Sequence, residues 1–161
     1  MEKIMSDVAK MIPAEVAGYR TANLQWKRLL GTPKFDYPID YAIAVLGIDE
    51  TEQRVDFLTS WEPGAYCHYH QHLGPTSSVV IAGELHVVET EENLHIHKTR
   101  KPGHSTGNDG GDMHMEYAGP EGAVAFFSMK PRADGKMFDV LANNRRVLRT
   151  VTFEEFAAGD Y

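Results

Sequence analysis

The residues from Val55 to Glu62 restrict the fold more than any other feature of this chain. Val55, Phe57, Thr59 and Trp61 alternate with Asp56, Leu58, Ser60 and Glu62. Successive side chains of a strand point to opposite faces, so this two-residue period predicts a strand with one buried face, stopped by Pro63-Gly64. Similar short runs recur at 24–30, which ends in Gly31-Thr32-Pro33, at 41–46, and then at roughly 65–72, 77–89, 94–99, 122–130, 136–141 and 145–151. No helix-length segment lies between them, which argues against a parallel sheet with crossover helices and for an antiparallel sandwich or barrel. Ile4, Met5, Val8, Met11 and Ile12 recur at helical spacing before Pro13, and Thr152-Phe153-Glu154-Glu155 has the spacing of a capping box. A short helix is therefore predicted at each end. Asn143-Asn144 reads as a hairpin tip with positive φ, and 100–113, rich in Gly, His, Ser, Asn and Asp, as a loop. The chain divides into a helical extension over 1–20 and one β domain over 21–161.

Composition narrows the function classes. A chain of 161 residues has room for one sizeable core. With 16 Lys plus Arg against 23 Asp plus Glu, its net charge of −7 argues against nucleic acid as a partner. A basic leader followed by an apolar run is absent, as is any stretch of about 18 apolar residues, so no membrane partner is expected. The single cysteine, Cys67, has no internal partner for a disulfide, in keeping with a reducing cytoplasm.

Eight histidines stand out, because imidazole is the commonest metal ligand. His68, His70 and His72 lie two residues apart, so on a strand all three would share one face, with neighbouring Cβ atoms about 7 Å apart. On a core-lining strand, unpaired imidazoles would cost about 1–3 kcal/mol each, and metal ligation removes that cost. Cys67 would fall on the opposite face. His95 and His97 share a face followed by Lys98, Arg100 and Lys101, and read as solvated. His86 reads as exposed or as a satisfied core residue, and His104 as a loop residue. Gly103, Gly110 and Gly111 lack the helix and the Lys-Ser/Thr pair of a phosphate cradle.

These residues also carry a resemblance to the cupin superfamily. Its first motif runs Gly, five residues, His-x-His, three or four residues, Glu, six residues, Gly. This chain has Gly64, five residues, His70-Gln71-His72, three residues to Thr76, and six more to Gly83, so that Thr76, or Ser77 at the longer spacing, stands where the glutamate belongs. The second motif is matched in register by Gly103, Gly111 and His114, while Asp109 and Ala118 replace its proline and asparagine. Pro63-Gly64, His70-Gln71-His72-Leu73-Gly74-Pro75 and Gly83 further resemble the small three-histidine cupins of the acetylacetone-cleaving and dihydroxyacetophenone dioxygenase type, with Trp26-Lys27-Arg28-Leu29-Leu30 and the end of the chain at 138–156 similar too.

The resemblance implies an all-β fold: a single-domain double-stranded β-helix, or jelly-roll barrel, with short terminal helices. It implies metal ligands at His70, His72 and His114, a set of three neutral imidazoles, with His68 a contender for a fourth place. Tyr66, Thr76, Ser77, Phe127 and Met129 are the pocket candidates. The activity implied is a mononuclear, non-haem dioxygenase that cleaves a carbon–carbon bond of a β-diketone or aromatic ketone, with Fe(II) as the first choice of ion and Zn, Ni or Mn as others. A small-molecule substrate, O₂ and a second copy of the chain in a homodimer are the partners it implies. Two rivals stand beside this: a non-catalytic binding or sensor module with structural Zn or Ni, and a metal-assisted isomerase or hydrolase.

Overall fold

The computed structural model describes residues 7–91 and 94–161. Its elements are predominantly strands: Glu15–Val16 (β1), Tyr19–Arg20 (β2), Trp26–Leu30 (β3), Asp40–Asp49 (β4), Arg54–Trp61 (β5), His70–His72 (β6), Thr76–Glu91 (β7), Leu94–Arg100 (β8), Ser105–Asn108 (β9), Met113–Met129 (β10), Lys136–Leu141 (β11) and Val147–Thr152 (β12). One helix, Phe153–Ala157 (α1), follows. β1 and β2 form a small hairpin, and the other ten strands pair antiparallel in one curled sheet. This is the all-β barrel that the strand periodicity and the cupin resemblance imply.

β10 organises the barrel. Along one edge it pairs first with β6 and then with β5, and along the other with β7. Its inward residues are His114, Glu116 and Ala118 before a bulge, and Ala123, Ala125, Phe127 and Met129 after it. An irregularity between 118 and 123 thus shifts the inward set from even to odd positions, which keeps one face of a 17-residue strand on the core. Gly83 and Gly122 face each other there, both at positive φ, and a Cβ at Gly83 would collide with the Gly122 carbonyl.

The structure departs from the sequence pattern in five places, each for a local reason. β5 is buried on both faces, since Leu58 and Val124 pack under Val8 and Val16 of the N-terminal segment. The N-terminal helix is one 3₁₀ turn, Asp7–Met11, and is followed by the β1–β2 hairpin, so the described part of 1–20 is not a helical extension; the expected helical residues before Asp7 lie outside the described ones. Of the run expected at 65–72, only His70–His72 is a strand. The expected loop at 100–113 contains β9, which pairs with β7. The β11–β12 turn puts its positive φ at Arg145, while Asn143 instead donates to Asp36. The N-cap half of the C-terminal capping box forms: Thr152 accepts from the Glu155 backbone N–H at 3.2 Å, opening α1, whose Phe153 and Phe156 enter the core, while the Glu155 carboxylate accepts from Arg149.

Candidate metal centre

The register between β6 and β10 sets His70 directly opposite His114. His72, two residues along β6, shares the face of His70. Nε2 of His70 lies 3.2 Å from Nε2 of His72, which lies 3.3 Å from Nε2 of His114. Nitrogens bound to one ion at about 2.1 Å are about 3.0 Å apart at right angles and about 3.4 Å apart at the tetrahedral angle, so this spacing suits a shared cation.

The second nitrogen is hydrogen-bonded from behind in His70 and His72, and lies beside a carboxylate in His114. His70 Nδ1 donates to the His68 carbonyl at 2.7 Å. His72 Nδ1 donates to Thr76 Oγ1 at 3.3 Å, and that hydroxyl in turn donates to the Gly74 carbonyl at 3.2 Å. Asp112 Oδ2 lies 3.3 Å from His114 Nδ1. Partners of this kind fix the ring orientation and leave Nε2 as the lone pair that faces the ion.

A fourth group, absent from the sequence reading, completes the cluster. Glu116, 2% exposed, places Oε1 3.3 Å from His114 Nε2 and 3.6 Å from His70 Nε2. The anionic position was sought at Thr76 or Ser77, but the carboxylate comes from the other strand. Its signal was the same i, i+2 rule, applied to His114-Met115-Glu116. The three imidazoles therefore have a buried carboxylate beside two of them, at His70 and His114.

Electrostatics follow from this enclosure. Burial, joined by charge on His114, pushes His70 down to about 4. Burial also lowers His72 well below the usual imidazole range. At His114 burial again opposes charge, but Glu116 and Asp112 outweigh it and hold the ring up at about 9. Burial likewise works against the Glu116 carboxylate, and the His114 charge overrides it, bringing it to about 2. The hydrogen bond to His114 brings Asp112 to about 2. Glu116 and Asp112 thus favour positive charge at this cluster, and a divalent ion suits imidazole and carboxylate donors of this kind.

The remaining sequence candidates are distributed unevenly. Phe127 and Met129 line a cavity of about 250 Å³ together with His70, His72 and Glu116. His68 also lines it, but its Nδ1 is 2.8 Å from the Tyr41 hydroxyl and its ring rests edge-on against Phe35. It stands apart from the Nε2 cluster because residues 67–69 are not strand, so the shared-face rule fails there. The same break brings Cys67 to the cavity wall, with Sγ 3.9 Å from His70 Nδ1, rather than to the opposite face. Burial pushes that thiol up, so it stays protonated. Thr76 lies behind His72 rather than on the wall, Ser77 is exposed, and Tyr66 stacks on Tyr117 at 4.7 Å away from the cavity, so these three pocket expectations are corrected.

The curled antiparallel barrel, with its histidine cluster converging from two strands beneath an apolar cavity, defines a cupin-fold protein with a candidate metal centre. No protein-family model matches the sequence, and no match is found among curated proteins. Solved structures do match. An acetylacetone dioxygenase from Acinetobacter johnsonii superposes with a TM-score of 0.65 over 92% of both chains at 15% identity. An RmlC-like cupin protein from Ralstonia eutropha gives 0.61 over 88% of this chain and 85% of that one, at 12% identity. A cupin-like protein from Thermotoga maritima gives 0.56 over 72% and 86%, at 19% identity. At these identities the likeness establishes the fold.

Proposed function

We propose that the protein is a mononuclear metal-dependent dioxygenase acting on a small β-diketone or aromatic ketone. The observation that carries this reading is the convergence of the His70, His72 and His114 Nε2 atoms, with the Glu116 carboxylate, at the wall of an apolar cavity of about 250 Å³. The ion, for which Fe(II) is the choice, would be held by those three imidazoles and by Glu116. When bound it would supply Lewis acidity toward an enolate and a place for O₂ to react.

The chain's own residues do the rest. The His68 carbonyl and Thr76 orient the His70 and His72 rings before the ion arrives, and Asp112 stands 3.3 Å from His114 Nδ1. Phe57 and Phe127, stacked at 5.2 Å, with Ile43, Trp61 and Met129, exclude water and offer flat apolar walls to a ketone's substituents. The Tyr41–His68 pair is a polar contact on that wall, able to fix a carbonyl oxygen or an enol hydroxyl. Glu116 reduces the net charge at the centre, which favours one enolate over two anionic ligands.

Glu116 also supports a second reading. Four protein donors are what a closed structural zinc site uses, and a non-catalytic binding module would have such a centre. The apolar cavity that reaches His70, His72 and Glu116 favours an accessible centre and hence the enzyme. A homodimer in a reducing cytoplasm accompanies the proposal, and sedimentation at micromolar concentration reads the assembly. The test is oxygen uptake by iron-loaded protein across a panel of β-diketones and aryl ketones. Turnover above the free-iron blank is expected; uptake at the blank level for every substrate, with the ion bound, would leave the binding module.

A further inference from the structure

On the outside of the barrel, the β7–β8 register joins two histidines that look unrelated in sequence. His86 is opposite Thr99, and Val88 is opposite His97, so His86 and His97 are diagonal neighbours across the pair. Leu85 and Val87, on the other face of β7, are fully buried, which turns His86 away from the core and from the cavity. His86 Nδ1 lies 2.8 Å from His97 Nε2. Behind it, His86 Nε2 donates to Glu84 Oε1 at 2.6 Å, which leaves Nδ1 as the lone-pair nitrogen. Tyr117, opposite His86 on β10, stacks on its ring at 4.7 Å with the planes 8° apart. The Tyr117 hydroxyl lies 3.3 Å from His97 Nε2, and Thr99 Oγ1 lies 3.4 Å from His86 Nδ1.

We propose that His86 Nδ1 and His97 Nε2 form a second metal site, on the barrel exterior, that takes a borderline divalent ion such as Zn²⁺, Ni²⁺ or Cu²⁺. Two imidazole nitrogens are the donors these ions prefer. The Tyr117 and Thr99 hydroxyls border the position, and water completes the shell. The features of a built site are present: a carboxylate orients one ligand, an aromatic ring fixes its plane, and a two-strand ladder brings the two nitrogens together. In the free protein the pair shares one proton in a 2.8 Å hydrogen bond, which the ion would displace as the exposed His97 ring moves out to the separation of about 3.0–3.4 Å that two nitrogens on one ion take. This site is independent of the interior cluster and of the proposed reaction.

Equilibrium dialysis of the full chain against Zn²⁺ at pH 7.5 tests it, with circular dichroism to check the fold. Wild type is expected to bind two equivalents, His97→Ala and His86→Ala one, and His114→Ala one. Glu84→Gln is expected to weaken the exterior site by about tenfold to a hundredfold, the range seen for lost orienting partners. His97 is exposed, so its removal leaves the core intact. An equal zinc count in His97→Ala and wild type would overturn the exterior site, whatever the interior one does. A single equivalent lost with His97→Ala but kept in His114→Ala would support the exterior site and defeat the interior one. Anomalous scattering at the zinc edge gives a direct readout: a peak between His86 Nδ1 and His97 Nε2 is expected, and its absence in crystals soaked at saturating zinc would overturn the proposal.

Discussion

Glu116 changes what the three histidines can do. A carboxylate in this position lowers the charge of the centre and is itself stabilised only while a cation, a proton on His114 or a metal, stands beside it. Replacing it with Gln keeps the shape and removes the charge. Metal affinity in Glu116→Gln should fall by about tenfold or more, equivalent to about 1.4 kcal/mol per decade, as measured by competition with a chromogenic chelator. His70→Ala and His114→Ala should each strip the bound ion, seen by elemental analysis after dialysis, while His68→Ala loses less, because its Nδ1 is committed to Tyr41. Equal loss from all three would show that His68 belongs to the cluster. At this scale the sequence already carried His70, His72 and His114 in motif register. It hid Glu116, because a carboxylate two residues past a histidine is unremarkable until the strand carrying both is known to face the cavity.

At the scale of elements, the site depends on three strands in register and on the cap that closes the barrel. β6 is three residues long and is held on both sides, by β10 and by β11. α1 follows β12 directly, and its N-terminal amide is satisfied by Thr152, so Phe153 and Phe156 are directed inward. Thr152→Ala should cost about 1 kcal/mol, the usual worth of such a cap, read as a lower urea midpoint at unchanged slope; no shift would mean that packing alone seats α1. Periodicity revealed most strands and this cap. It missed the first half of β10, because Gly110-Gly111-Asp112 reads as a loop and the polar His114 and Glu116 break the apolar alternation. Polar residues on an inward face are what a site requires and what a hydrophobic pattern cannot display.

For the whole molecule, one apolar cluster is both core and cavity wall. Phe156 is 1% exposed, packs on Phe57 at 5.1 Å and stacks on Tyr161 at 4.6 Å. Phe156→Ala should destabilise the fold by about 3–5 kcal/mol and enlarge the cavity, so that thermal unfolding begins earlier and bulkier apolar probes bind. A variant with native stability would mean that the C-terminal segment collapses into the space.

The sequence by itself determined that the chain is antiparallel β, that no crossover helices separate its strands, and that three histidines occupy cupin positions, because period-two patterning and motif spacing are local properties. Only the tertiary structure decided which carboxylate joins them, why His68 and Cys67 leave their expected faces, and that His86 meets His97 on the exterior. Each of those depends on the register between strands distant in sequence, and register is fixed by the packing of the whole barrel.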